Sequence, residues 1–339
     1  MTKLKYNTDN RTVLTLDAGG TNLVFNAVRA NKEVTQSIAL PTQADNLDKC
    51  LANIVKGFEE AAKKSGRKPS AISFAFPGPA DYVNGVIGDL PNLPAFRGGI
   101  ALGPYLKKKF GLPVFINNDG DLFAYGEGAA GLLPEVNNNL AKIKSPARYK
   151  NLFGFTLGTG TGGGLVTNNE LFMGDNGAAA EVWVIRNKKY PNAFAEEGAS
   201  IRAVKRAYRL LSGDKSELSP KDISDIAEGL KQGDQKAARA AYAELGEILG
   251  DLIANVSTII DGLVVLGGGL AAAHKHFMPS AIKVLNGAIE RYDNGGSVPR
   301  MESKAYNLQD PKQAEAFYKG GSTLVKIPHS NRDAVYNKD

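Results

Sequence analysis

Seven consecutive residues, Gly158 to Gly164, contain only glycine and threonine, and they separate two apolar runs, Leu152–Leu157 and Leu165–Val166. A tight hairpin needs one or two glycines. This stretch has four between Gly158 and Gly163, more than a chain reversal requires. Glycines let backbone N–H groups turn toward an anion, and threonine hydroxyls add donors. The pattern has an echo near the N-terminus. Val13–Ala18, the turn Gly19-Gly20-Thr21 and Asn22–Phe25 again read as strand, Gly/Thr turn and strand, with an acid, Asp17, at the turn. Two phosphate-type turns, one opening each half of the chain, point to a nucleotide held between two related domains.

A chain of 339 residues is long for one core and comfortable for two. Met1–Arg11 is polar with no apolar segment behind it, so no signal peptide is expected. No apolar run is long enough to span a bilayer. The single cysteine, Cys50, excludes an internal disulfide and a multi-cysteine metal site. Together these features predict a cytoplasmic enzyme with no membrane partner. The formal net charge of +6 is spread along the chain. Lys63–Lys68 and Lys107–Lys109 read as solvated helix faces. With neither a basic stripe interleaved with aromatics nor a reading helix, no nucleic-acid partner is expected. A mildly basic surface also suits an anionic substrate such as a nucleotide.

In the first half, Thr12–Leu16, Leu23–Val28 and Val34–Leu40 predict an antiparallel meander, followed by a helix over Asp45–Lys64. Ala71–Phe76 reads as a buried strand running into Pro77-Gly78-Pro79, and Pro91-Asn92-Leu93-Pro94 is a second rigid loop. Ala101–Phe110 reads as a helix. Val114–Ile116 is a strand that delivers Asn118 and Asp119 to the start of another helix. In an open α/β sheet, side chains at the carboxyl ends of strands face the ligand crevice. An Asp at that place is also a common N-cap, and the two phosphate turns tip the balance toward chemistry.

Leu132–Asn151, rich in Asn and Lys, reads as an exposed loop. Glu196 and Glu197 precede a helix from about Ala199 to Leu211, where they would also suit the helix dipole. Ser219–Gln232 and Gln235–Asp261 are helical, the latter with a broad apolar face. Leu263–Leu266 is a strand running into Gly267-Gly268-Gly269. Either strand–helix packing or close approach to a nucleotide explains those glycines; the spacing is not a dinucleotide fingerprint. Asp310–Ile327 reads as one helix, long enough to cross back onto the first domain. The tail from Pro328 reads as poorly ordered.

Taken in order, these pieces resemble the ROK family of sugar kinases, within the actin-like ATPase and hexokinase superfamily. The matching residues are Asp17–Asn22, Pro77–Pro79, Pro91–Pro94, Asn118-Asp119 with Gly126-Glu127, Leu157–Gly163, Glu181 and Leu266–Ala271. Each is weak alone; the ordered set is specific. The resemblance implies an α/β fold of two ribonuclease H-like domains with a cleft between them. The smaller would comprise residues 1–125 plus 311–330, and the larger residues 126–310. It implies a hinge near Asp121–Gly131 and near the start of the C-terminal helix, with the domains closing over the sugar to exclude water.

The implied activity is ATP-dependent phosphorylation of a hexose hydroxyl, usually the 6-hydroxyl of glucose, a related hexose or an N-acetylhexosamine. Asp17 would help hold Mg2+ through water. Gly19, Gly20, Thr21, Gly158, Thr159, Gly160 and Thr161 would cradle the ATP phosphates, and Gly268 and Gly269 would let adenosine lie against the backbone. Gly78, Asn92, Asn118, Asp119, Glu181 and Glu196 would contact the sugar, with Asp119 the general base. The family also implies a homo-oligomer, dimer or tetramer.

The chain departs from the family at two places. Many members carry Gly-Glu-x-Gly-His, whose His touches sugar and binds a structural zinc with three cysteines. Here the run is Ala180-Glu181-Val182-Trp183-Val184, and no cysteine lies between Trp183 and Ser200. No zinc is expected, and packing by Tyr190, Pro191 and Phe194 is expected in its stead. Asp121 adds a second charge near the base, and the expectation is a solvated acid at a helix start. Among other activities, a sugar-binding regulator without catalysis is the alternative. Regulatory relatives carry a winged helix ahead of the first strand, for which no room is expected before Thr12. An ATPase without a sugar pocket fits Asn118, Asp119 and Glu181 less well.

Overall fold

Alternation of side chains dictates the first hairpin. Leu14 and Leu16 of β1 (Val13–Ala18) and Leu23, Phe25 and Ala27 of β2 (Asn22–Arg29) are buried, and the residues between them are not. The two strands pair antiparallel, from Val13 opposite Val28 to Ala18 opposite Leu23. The structure, a computed structural model, describes residues 6–76, 78, 80–89, 93–293, 295–321 and 323–336. The loop residues Pro77, Pro79, Pro91 and Asn92 lie outside the described residues.

Contacts divide the chain into two compact units, residues 1–130 with 171–179, and residues 131–170 with 180–339. In the first unit, β3 (Lys32–Glu33) and β4 (Ile38–Pro41) both pair antiparallel with β2, so the expected third strand over Val34–Leu40 is replaced by two short ones with residues 34–37 between them. The helix α1 (Leu47–Lys64) is capped by the Asn46 side chain and turns Cys50, Ile54, Phe58 and Ala61 onto the sheet. Beyond it come β5 (Ala71–Ala75), the short pair β6 (Ala80–Asp81) and β7 (Val86–Ile87), α2 (Leu102–Phe110), β8 (Val114–Asn117) and α3 (Asp119–Ala129). The sheet order is β3–β2–β1–β5–β8. The rings of Phe25, Phe58, Phe74, Phe76 and Phe96 follow one another through its core at centroid separations of 5.1–6.2 Å.

The second unit opens with α4 (Leu132–Lys142), not with the expected loop. Leu133, Val136 and Leu140 lie on one helical face and are buried, which outweighs the asparagines on the other. Next come β9 (Leu152–Leu157) and β10 (Thr161–Thr167), an antiparallel hairpin, then β11 (Glu170–Leu171). The helices α5 (Ile201–Ser212), α6 (Pro220–Glu228) and α7 (Gln235–Ile260) precede β12 (Leu263–Gly267), which lies parallel to β9 in the order β11–β10–β9–β12. The sides of the two sheets match. Each has a first strand with an antiparallel partner across a Gly/Thr turn and a parallel partner on its other edge, β2 and β5 for β1, β10 and β12 for β9.

After α8 (His274–Leu285) and the hairpin β13 (Ala288–Glu290) and β14 (Ser297–Pro299), the chain ends in α9 (Pro311–Lys319), β15 (Thr323–Lys326) and β16 (Asp333–Tyr336). Two expectations change here. The C-terminal helix stops at Lys319 because Gly320 takes φ +62°, and a hairpin follows in place of more helix and a loose tail. That helix also packs within the second unit: Phe317 stacks on Tyr149 and meets Tyr306 edge-on, and the Asn139 amide donates to the Tyr318 hydroxyl at 3.2 Å.

Candidate active site

In the first unit, strand register gathers the candidate residues. β1, β5 and β8 are parallel, with Asp17 beside Ala75 and Ala75 beside Asn117. Asp17, Phe76 and the pair Asn118-Asp119 therefore leave the sheet along its carboxyl edge, with Asp17 and Asn117 two strands apart, roughly 10 Å. After β1 the chain turns through Gly19–Thr21. The Gly19 N–H donates to Asn22 O at 2.9 Å. Thr42, which is buried, donates its hydroxyl to Gly19 O at 2.7 Å and its N–H to Thr21 O at 3.0 Å. With the Gly19 N–H spent on Asn22 O, the N–H groups of this exposed loop that remain for an anion are those of Gly20 and Thr21. Nothing in the sequence singled out Thr42.

At the start of α3 the capping role belongs to Asn118, whose Oδ1 accepts the Gly120 N–H at 2.8 Å. Asp119 is the first helical residue and is exposed, with its Oδ1 3.0 Å from the same N–H. A helix N-terminus favours a carboxylate there. Asp121, expected to be solvated, is 7% exposed: the first turn of α3 tucks it beneath the surface while Asp119 stays outside. At Gly78 a Cβ would come 3.0 Å from the Tyr82 hydroxyl, which itself donates to Phe76 O at 3.0 Å, so this loop is held by its own tyrosine.

In the second unit the turn Gly158–Gly160 closes on itself through Gly158 N–H to Gly160 O at 2.9 Å. It is clamped to the segment ahead of α5. Ile201 N–H donates to Gly158 O at 2.9 Å, Thr161 Oγ1 donates to Ala199 O at 2.6 Å, and Thr161 N–H donates to Glu196 Oε2 at 2.9 Å. Thr161 is buried with both donors engaged and the Gly158 N–H is spent on Gly160, which leaves the N–H groups of Thr159 and Gly160 for an outward cradle at this turn. Glu196 is equally committed. A Cβ on Gly160 would meet its Oε2, and its Oε1 lies 2.7 Å from Arg202. Arg202 also holds Glu197 at 2.7 Å. The hydrogen bond from Arg206, with the charge of Arg202 behind it, keeps the Glu197 carboxyl below the usual carboxylate range.

Gly268, at φ +84°, closes against Leu157, whose backbone leaves no room for a Cβ. The end of β12 thus lies beside the end of β9, next to the Gly158 turn. Gly269 is open on its side-chain face. The packing explanation applies to Gly268; Gly269 has open space where a Cβ would stand.

Glu181 stands on a short 3-10 turn, Val182–Val184, packed over Gly163 of β10. Its Oε2 accepts the Trp183 indole N–H at 2.5 Å. The loop that follows is tied by Asn187. This buried side chain accepts the N–H groups of Lys189 (3.0 Å) and Tyr190 (3.1 Å), while Lys189 and Tyr190 both reach Glu244. Phe194 meets Trp183 edge-on at 5.7 Å, and Tyr190 points to Glu244 without joining that aromatic pair. The tie is polar where packing was expected. Ala195 N–H to Ile185 O, 2.7 Å, returns the loop and brings the Glu196 segment back alongside that of Glu181.

Comparison with known proteins decides the family. The ROK family model matches residues 13–302. The chain belongs to the ROK family. A solved structure named as a glucokinase from Parabacteroides distasonis is 51% identical, covers 99% of this chain and 92% of its own, and superposes with a TM-score of 0.89. An N-acetyl-D-glucosamine kinase of Vibrio cholerae is 29% identical over 75% of this chain and 83% of its own length. A glucokinase of Thermotoga maritima is 24% identical over 76% and 82%. The paired sheets described above are thus the ROK fold, of the actin-like ATPase type, and the chain carries that fold without the family's His, which is Val184 here.

Proposed function

We propose that this chain transfers the terminal phosphoryl group of ATP to a hydroxyl of a hexose, the 6-hydroxyl in this reading. Glucose is the first candidate substrate, because the glucokinase of P. distasonis is 51% identical over nearly the whole chain. N-acetylglucosamine is the second, after the V. cholerae kinase. The observation that carries the reading is the common carboxyl edge of β1, β5 and β8, which supports a division of labour between Asp17 and Asp119.

Phosphoryl transfer asks mainly for positioning and for neutralisation of charge, with little covalent work by the protein. Asp119 takes the proton of the attacking hydroxyl. Asn118 keeps its amide nitrogen for the sugar while its oxygen caps α3. The N–H groups of Gly20 and Thr21 at the first turn, and of Thr159 and Gly160 at the second, receive phosphate oxygens, since those of Gly19 and Gly158 are spent within their own turns. Gly269 leaves backbone open to the adenosine. Asp17, an exposed oxygen donor beside an inward-pinned loop, suits a hydrated Mg2+, which takes few carboxylates and retains water. When bound, that ion neutralises charge on the phosphoryl oxygens. Glu181 accepts a sugar hydroxyl on the oxygen that Trp183 does not occupy. Glu196, spent on Thr161 and Arg202, serves the sugar by holding the phosphate turn and the sugar-side segment in fixed relation.

The test is ADP release from ATP and Mg2+ across hexoses, amino sugars and N-acetylhexosamines, with a no-sugar control. Stimulation by one sugar class is expected. Sugar-independent turnover would point to an ATPase, and sugar-raised melting without turnover to a regulator. Asp119→Asn should lower kcat about 10²- to 10⁴-fold with ATP affinity and melting temperature unchanged. Full activity in that variant removes Asp119 from the chemistry.

A further inference from the structure

The family's sugar-contacting His is absent, and the residue just before it is the chain's one tryptophan. Trp183 is 38% exposed, although large aromatic side chains of this size are usually well covered. It is not idle. Its indole N–H donates to Glu181 Oε2 at 2.5 Å, and the ring is braced edge-on by Phe194. Beside it Val184 is 54% exposed, so the position of the lost His offers an apolar methyl surface instead of a donor. Glu181 Oε1 carries no bond among the described residues.

We propose that Trp183 is a specificity-determining residue for the sugar. It fixes the Glu181 carboxylate through the indole N–H and offers its exposed ring as a platform for the apolar C–H face of a pyranose. The inference rests on the reading that Glu181 accepts a sugar hydroxyl. A pyranose is two-sided in the required way, with hydroxyls in its rim and C–H groups on its faces. A site that joins an aromatic face to one oriented carboxylate matches both features. Fixing the carboxylate in advance also removes rotamer freedom that the sugar would otherwise have to freeze. The Asn187 tie and the Trp183–Phe194 contact hold this region while the indole stays partly exposed.

Because Trp183 is the only tryptophan, the intact protein reports on itself. Its emission is recorded during titration with glucose and, separately, N-acetylglucosamine, and the same titrations are followed by calorimetry. Emission should change saturably with the calorimetric Kd. Trp183→Phe keeps a ring and loses the N–H, and should raise the sugar KM about five- to tenfold while KM for ATP stays put. Trp183→Ala should raise it further. A variant damaged only in folding would instead lose both affinities and melt early. Sugar binding by calorimetry with silent emission, and a sugar KM in Trp183→Phe within twofold of the parent, overturns the role of Trp183 alone. Binding of neither sugar by calorimetry overturns the kinase reading and this proposal with it.

Discussion

Ala180 shows how much a single residue can say about a site. It takes φ +65°, a region that suits glycine and costs an L-residue with a Cβ. Its carbonyl lies where a Cβ on Gly163 would sit, so the strained residue and the bare strand are fitted to one another, immediately ahead of Glu181. Ala180→Gly should therefore stabilise the protein by about 1 kcal/mol, read as a higher urea midpoint. A lower midpoint would show that the methyl packs well enough to offset the strain. Residues of this kind divide by legibility. Asp17, Asn118 and Asp119 announce themselves because charged or amide residues at the ends of apolar strands have few structural uses. Thr42, Trp183 and Arg202 do not. Their partners lie elsewhere in the chain or on a turn whose geometry composition does not reveal, and only the folded chain joins them.

Among the elements, the turns were legible and the ends were not. Both Gly/Thr turns, the β1–β2 pairing and the long apolar helix follow from pattern alone. The helix α4 was hidden by its asparagines, although Leu133, Val136 and Leu140 keep helical spacing. The strands β15 and β16 are too short, at four residues each, for alternation to stand out from a polar tail. One pairing carries its own signature in retrospect. Gly246 and Gly250 lie one turn apart on α7 and face α8. A Cβ on Gly246 would stand 2.2 Å from Phe277 O, and one on Gly250 2.8 Å from Ala281 O. Both obstacles are backbone, which cannot rotate away as a side chain can. Gly246→Ala should cost about 1–3 kcal/mol through separation of the two helices, against the small gain in helix propensity that alanine brings at an unobstructed site. A denaturation midpoint equal to or above that of the parent would show that α7 and α8 can part without loss.

For the molecule as a whole, the question is whether its two cores unfold as one. The first holds Cys50 with Phe25, Phe58 and Phe74, and the second is built on α7, with Trp183 on the unit's surface. Burial pushes the Cys50 thiol from 9.0 up to about 11. A raised acid pKa means the folded state keeps a proton that the unfolded chain gives up. The corresponding stability is present below pH 9 and is lost as pH climbs toward 11. Thiol labelling of the native protein at pH 8 should accordingly be slow, limited by opening of the first core, and its midpoint in denaturant should fall between pH 9 and 11. Each core also has a lesion of its own. Gly57→Ala would drive a Cβ to within 2.2 Å of the Phe25 ring, and Gly246→Ala separates α7 from α8. If each unit is its own cooperative domain, the first variant moves the Cys50 labelling curve more than the Trp183 emission curve, and the second does the reverse. Equal shifts of both probes in both variants would mean that one transition covers the whole chain. The sugar could then stabilise the Cys50 core, to which Trp183 does not belong, by binding alone.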